Sequence, residues 1–188
     1  MIRTKQDGKR NMTRYKTDSQ IAKIRNRVGS KELEKRNAIA AKWEPVDNNL
    51  ADGTCANIRV MFDEGQAMLT DFSTEPKFGT PEHDALTWLH AQISPGLMLY
   101  RLVLLFKTAD FEKIDDYKQV WELTLRHKES GEIANLYDYK GGCSMGLKET
   151  KVENLNPQFA EDLKELLTAL VSKWLPLNYD GTVAGTVA

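Results

Sequence analysis

Residues 120–142 read VWELTLRHKESGEIANLYDYKGG, and this stretch decides the fold class. Two runs rich in β-branched and aromatic residues, Val120 to His127 and Glu132 to Tyr139, flank the polar turn Lys128-Glu129-Ser130-Gly131. That arrangement predicts a β-hairpin. Gly141-Gly142 turns the chain again, into a third strand over Cys143 to Lys148. Downstream, Asn156-Pro157 opens a helix running to about Trp174. Its Phe159, Leu163, Leu166, Leu167, Leu170 and Trp174 form one apolar stripe. Strands that follow one another through tight turns and then meet an amphipathic helix give an α+β fold, not a doubly wound sheet.

Upstream, Asn57–Phe62 and Gln66–Phe72 flank Asp63-Glu64-Gly65 and predict a second hairpin. Thr80-Pro81 opens a helix on which Leu86, Leu89 and Ile93 share a face. Ser94-Pro95 repeats the start signal, and the Leu- and Met-rich run Leu97 to Phe106 is read as a buried helix. Residues 1–44 read as a basic arm of two short helices about Gly29-Ser30, the first opened by the Thr17/Gln20 capping box. Residues 45–56 read as a linker, 57–175 as the α+β body and 176–188 as a flexible tail. The expected architecture is therefore a basic helical arm followed by a small antiparallel sheet packed against helices. Met12 is an alternative start to Met1.

Charge divides along the same line. Residues 1–42 carry 13 Lys/Arg against 4 Asp/Glu, and residues 43–188 carry 13 against 23. Two surfaces with different partners are expected. Lys16, Lys23, Arg25, Arg27, Lys31, Lys35 and Arg36 are the candidate contacts to nucleic acid or a nucleoprotein. Asp110, Glu112, Asp115 and Asp116 form the densest acidic patch, suited to a basic protein such as a host defence nuclease. Solvation of the chain is the plainer role for both charge runs. A hydrophobic face over Ile21, Ile24 and Val28 raises homodimerisation. Two cysteines, Cys55 and Cys143, make no disulfide framework and point to the cytoplasm. No secretory signal and no membrane-spanning stretch is visible.

Motifs for chemistry are sparse. Ten residues separate Asp138 from Glu149-Thr150-Lys151, the D-x(10)-E-x-K spacing of many metal-dependent nucleases. There two carboxylates hold a cation and the lysine steadies developing charge. In a chain with 28% charged residues that spacing also arises by chance. Cys143 with His127 is a candidate nucleophile and base. The glycines of the Lys140 to Gly146 loop do not have P-loop spacing. His83 and His90 lie seven apart, wider than helical zinc pairs. Trp121, Tyr137 and Tyr139 stack on bases if exposed and are core if buried. No cofactor and no metal site is expected, and residues 17–43 fit a helix-turn-helix poorly because Arg25 and Lys35 occupy positions that want small or apolar residues.

The hairpin followed by the amphipathic helix, residues 119–174, resembles a pattern common among small phage and mobile-element accessory proteins. That resemblance implies a non-enzymatic, charge-polarised binding protein, such as an anti-CRISPR inhibitor of RNA-guided nucleases. The alternatives are a metal-dependent nuclease using Asp138, Glu149 and Lys151, and a DNA-binding transcriptional regulator.

Overall fold

A computed structural model describes residues 30–107 and 119–174, the side chains of Ser30 and Lys31 excepted. Two antiparallel sheets and a set of helices make an α+β fold. The first sheet has the order β1-β5-β6-β7, built from β1 (Trp43–Val46), β5 (Glu122–His127), β6 (Ile133–Tyr139) and β7 (Gly142–Leu147). The second has the order β3-β2-β4, from β2 (Ile58–Asp63), β3 (Gln66–Asp71) and β4 (Thr87–Trp88). The isolated bridge between Cys55 and Leu147 ties the approach to β2 onto the edge of the first sheet.

Two of the hairpin turns place one non-glycine residue and one glycine in the left-handed region. Glu64 and Gly65 take φ of 44° and 82° between β2 and β3. Lys140 and Gly141 take 50° and 83° between β6 and β7. Both pairs match the two-residue turn whose twist suits adjacent strands. Gly142 is needed for another reason. A Cβ there would lie 3.0 Å from the His90 Cβ, tighter than side chains ordinarily pack, so glycine lets the helix bearing His90 come this close to β7 without shifting it.

Helix α5 (Pro157–Val171) is capped by Asn156, whose side-chain oxygen accepts from Gln158 and Phe159 backbone N–H. Its Phe159, Leu163, Leu166, Leu167 and Leu170 are fully buried, as the apolar stripe predicts. They meet Leu125 and Leu136 of the first sheet and Leu102 and Leu104 of α4 (Pro95–Phe106) in one core. The Leu-rich run is therefore the helix that its Ser-Pro start suggested.

Two expectations are corrected. Among the described residues, 30–44 pack into the body instead of standing apart as an arm, and the stretch 45–56 contributes the end of β1, a 3-10 turn over Asn48–Ala51 and the Cys55 bridge instead of a free linker, while residues 1–29 lie outside the described residues. Helix α1 (Ser30–Ala40) buries Leu33, Arg36 and Ala40 against the body, and Trp43 is 2% exposed. The helix ends at Ala40, before the Glu44-Pro45 stop expected, and Pro45 sits in β1, an edge strand where its missing N–H costs nothing. Trp43 pairs with His127 and packs at 5.0 Å from its ring and 5.5 Å from Phe159. The helix expected from Thr80 through Ile93 is also broken. It divides into α2 (Pro81–Ala85), β4 and α3 (Leu89–Gln92). Thr87 and Trp88 favour strand and pair with Phe62 and Met61 of β2, which outweighs the helical spacing of Leu86 and Leu89. Among the described residues no helix is long and apolar enough to cross a membrane.

Candidate functional site: a cation–aromatic strip on the second sheet

The apolar side chains of the second sheet's outer edge are not all covered. Phe72 is 57% exposed and Phe78 is 92% exposed. Both belong to the turn-rich segment after β3, which gives their rings little to pack under. They are joined to the sheet through a continuous run of rings and one cation. The Arg59 guanidinium, on β2, lies 4.6 Å from the centre of the Phe72 ring and 5.7 Å from that of Trp88. The His83 ring follows, 6.3 Å from Trp88, and Phe78 is 5.1 Å beyond it. Arg59 is steered by an ion pair with Glu75 at 3.2 Å, and its side chain remains 40% exposed. These distances fall in the range of cation–π and offset aromatic pairs.

The first sheet carries its own ring–cation pair. Tyr137 and Tyr139 project from one face of β6, and Lys140 sits with its Nζ 5.3 Å from the Tyr139 ring. Burial pushes the Tyr137 hydroxyl above its ordinary range, against the opposing pull of the Arg59 charge, which places the two groups within electrostatic reach. A shallow cavity of about 70 Å³ between the sheets is lined by Arg59, Trp88, His90 and Ser144. The surface holds π faces and cations. It can take a planar, π-rich, anionic ligand.

The positions chosen from sequence fare unevenly. Lys16, Lys23, Arg25, Arg27, Asp110, Glu112, Asp115 and Asp116, and the face over Ile21, Ile24 and Val28, lie outside the described residues, as does the Lys31 side chain. Lys35 is exposed. Arg36 is corrected: it is 6% exposed and not available to a partner. It pairs with Glu32, donates to the Ala169 and Lys173 carbonyls and the Ser172 hydroxyl, and lies 4.5 Å from the centre of the Trp174 ring. The carbonyls at the end of α5 need donors, and a guanidinium supplies several in one plane.

The nuclease constellation is not assembled. Asp138 is buried, and its Oδ1 accepts from the Val120 and Trp121 backbone N–H groups at 2.8 Å each. It faces Cys143 across the ladder, whereas Leu147 faces Ala134 at the other end of the same hairpin. Four residue steps along the strand, about 13 Å, take Cys143 to Leu147, and Glu149 lies two residues further on. Lys151 is solvent-exposed and paired with Glu153 at 3.4 Å. Cys143 is likewise far from His127, which sits at the Ile133 end of β5 and β6. Burial, then the Asp138 charge, pushes the Cys143 thiol up to about 12, the reverse of nucleophile activation. Trp121 is 2% exposed and belongs to the core.

One polar constellation was missed. His127 Nε2 is 3.0 Å from Asp162 Oδ2, and its Nδ1 is 3.0 Å from Ser130 Oγ. Lys42 Nζ reaches Asp162 at 2.6 Å and Glu165 at 2.7 Å. The signal was legible as a carboxylate inside the apolar stripe of α5, between Phe159 and Leu163. The order Ser–His–Asp suggests a hydrolase, but the neighbouring amides are spent. Gly131 N–H donates to the His127 carbonyl and Glu132 N–H to Ser130 Oγ, so they are not a free donor pair for an oxyanion. The group fastens the β5–β6 hairpin and α1 to α5. Among the described residues no three His, Cys, Asp or Glu side chains cluster as a metal site. Family models, curated proteins and solved structures all give no match to this chain.

Proposed function

We propose that this chain is a non-enzymatic nucleic-acid-binding protein of the accessory kind carried by phage and mobile elements, with inhibition of an RNA-guided nuclease as its setting. The observation that carries the reading is the run Phe72–Arg59–Trp88–His83–Phe78, a surface suited to nucleobases. Residues 1–29 add 9 Lys/Arg against 2 Asp/Glu, a sequence-independent attraction for a polyanion.

The test is a salt series with labelled duplex and single-stranded DNA and RNA, comparing the full chain with a chain beginning at Ser30. That boundary keeps α1, whose Leu33 and Ala40 belong to the core. Binding that weakens linearly in log salt, with a shallower slope for the shortened chain, supports the reading. Failure of the full chain to bind any of these nucleic acids at low salt removes it.

A further inference from the structure

We infer that the strip around Arg59 recognises unpaired bases, so that single-stranded nucleic acid is the ligand and duplex is not. This rests on the nucleic-acid reading above and adds the ligand class and the residues that select it.

The inference comes from what the strip exposes. In a duplex the base faces are stacked on one another, and a protein meets base edges and phosphates. A surface that reads a duplex needs donors, acceptors and cations, and has little use for a row of open rings. Here rings dominate. Phe78 stands 92% exposed in its loop and touches one neighbour ring, that of His83, leaving almost its whole surface to solvent. Burying a ring is worth far more than leaving it in water, so open rings at Phe72 and Phe78, beside a half-buried Trp88, need a partner with π faces. Unpaired bases have such faces whatever their sequence, and stack on aromatic rings and on the guanidinium plane of arginine. Arg59 supplies that plane between the Phe72 and Trp88 rings, held there by its ion pair with Glu75. Lys140 beside Tyr139 offers a second cation next to a ring at the end of β6. Carboxylates also line the run: Glu75 pairs with Arg59 at 3.2 Å, Asp71 Oδ1 accepts from the Val152 backbone N–H at 2.6 Å, and Asp84, 72% exposed, lies 3.6 Å from His83 Nδ1, so the strip offers rings more than net positive charge.

The test measures affinity of the full-length protein and of Phe78→Ala, Phe72→Ala and Trp88→Phe for a fluorescein-labelled 20-nucleotide single strand and for the matching duplex. Phe78→Ala and Phe72→Ala remove exposed rings and leave the core whole, so a loss of binding is not a loss of fold. Circular dichroism and the unfolding midpoint verify this. The single strand should bind at least tenfold more tightly than the duplex. Each alanine variant should lose about 5- to 150-fold for the single strand, with little change for the duplex. Trp43 and Trp121 are 2% exposed and Trp174 is 9% exposed. Quenching of tryptophan emission by the single strand should therefore come from Trp88 and disappear in Trp88→Phe. Equal affinity for duplex and single strand, or alanine variants that bind the single strand as the parent does, overturns the inference while leaving nucleic-acid binding in place. Absence of binding to either ligand overturns the broader reading as well.

Discussion

Asp138 separates the two uses a buried carboxylate can have. In the structure it is a cap: one oxygen holds two backbone N–H groups, those of Val120 and Trp121, where the chain enters β5. In Asp138→Ala the Trp121 N–H is left without that acceptor inside the protein, which costs about 1–3 kcal/mol. The Val120 N–H is only partly buried and water can replace the carboxylate, so its share is about 1 kcal/mol or less. The sum is about 1–4 kcal/mol, or about 2–16 °C in Tm for a chain of this size. Asp138→Asn keeps an acceptor oxygen and loses only the charge assistance, so it should cost about half as much. Urea unfolding followed by circular dichroism measures both, with the m-value unchanged if the native surface is intact. A loss below about 1 kcal/mol in Asp138→Ala would refute the cap. A carboxylate held for a metal behaves in the opposite way. Removing a charge kept close to other carboxylates stabilises the metal-free protein, and Mg²⁺ would raise the Tm of the parent and not of Asp138→Asn.

The pair formed by Lys42 and Asp162 sets a pH window. Burial alone pushes the Asp162 carboxyl up, but hydrogen bonds from Lys42, Gln158 and His127 with the Lys42 charge outweigh it and hold the group below its ordinary value. Hydrogen bonds from Asp162 and Glu165 hold Lys42 above its own ordinary value. The depressed carboxyl stabilises the fold above about pH 4 and loses that contribution as pH falls through its folded value. The raised ammonium stabilises it below about pH 10.4 and loses that contribution as pH rises through its folded value. Stability in a urea series should therefore be level between these limits and fall outside them, and Lys42→Met should flatten the acid limb; an unchanged acid limb would show that the pair is not coupled. Arg36→Lys should be nearly as damaging as Arg36→Ala, at about 2–4 kcal/mol, because an ammonium cannot span the Ala169 and Lys173 carbonyls while stacking on Trp174. Full stability in Arg36→Lys would show that charge alone suffices there.

Local signals carried most of the fold. The hairpins were legible because glycines at Gly65, Gly131 and Gly141 punctuate strand-forming runs, although the third turn is centred on Lys140-Gly141 and Gly142 already belongs to β7. The terminal helix was legible because its stripe and its Asn-Pro start agree. What was not legible depended on partners distant in sequence. Trp43 closes a polar helix in the sequence, yet its ring is fixed by His127 and Phe159. Thr87-Trp88 reads as helix until β2 offers a ladder. The strip was missed for the same reason. Phe72, Trp88 and Phe78 sit on three separate segments, and only the turn of the chain after β3 brings them to Arg59. The one hint in sequence is Phe78 itself, a large ring in a loop of Gly, Pro and Thr.

The boundary in charge is not a boundary in structure, and this changes where binding must be sought. Two of the cations that make residues 1–42 basic serve the body. Arg36 is spent on the end of α5, and Lys42 on Asp162 and Glu165. Reversing the charge at Arg36 would therefore damage the fold and report nothing about a partner. Residues 1–29 still hold 9 Lys/Arg against 2 Asp/Glu. In the nucleic-acid reading proposed above, electrostatic attraction would come from that segment and base contact from the strip on the second sheet. The two are separable by experiment. Salt should act chiefly through the first, since released counterions set the slope. Ring removal at Phe78 should act through the second and leave the slope unchanged. A variant at Phe78 that altered the salt slope while sparing the affinity at fixed salt would contradict this division.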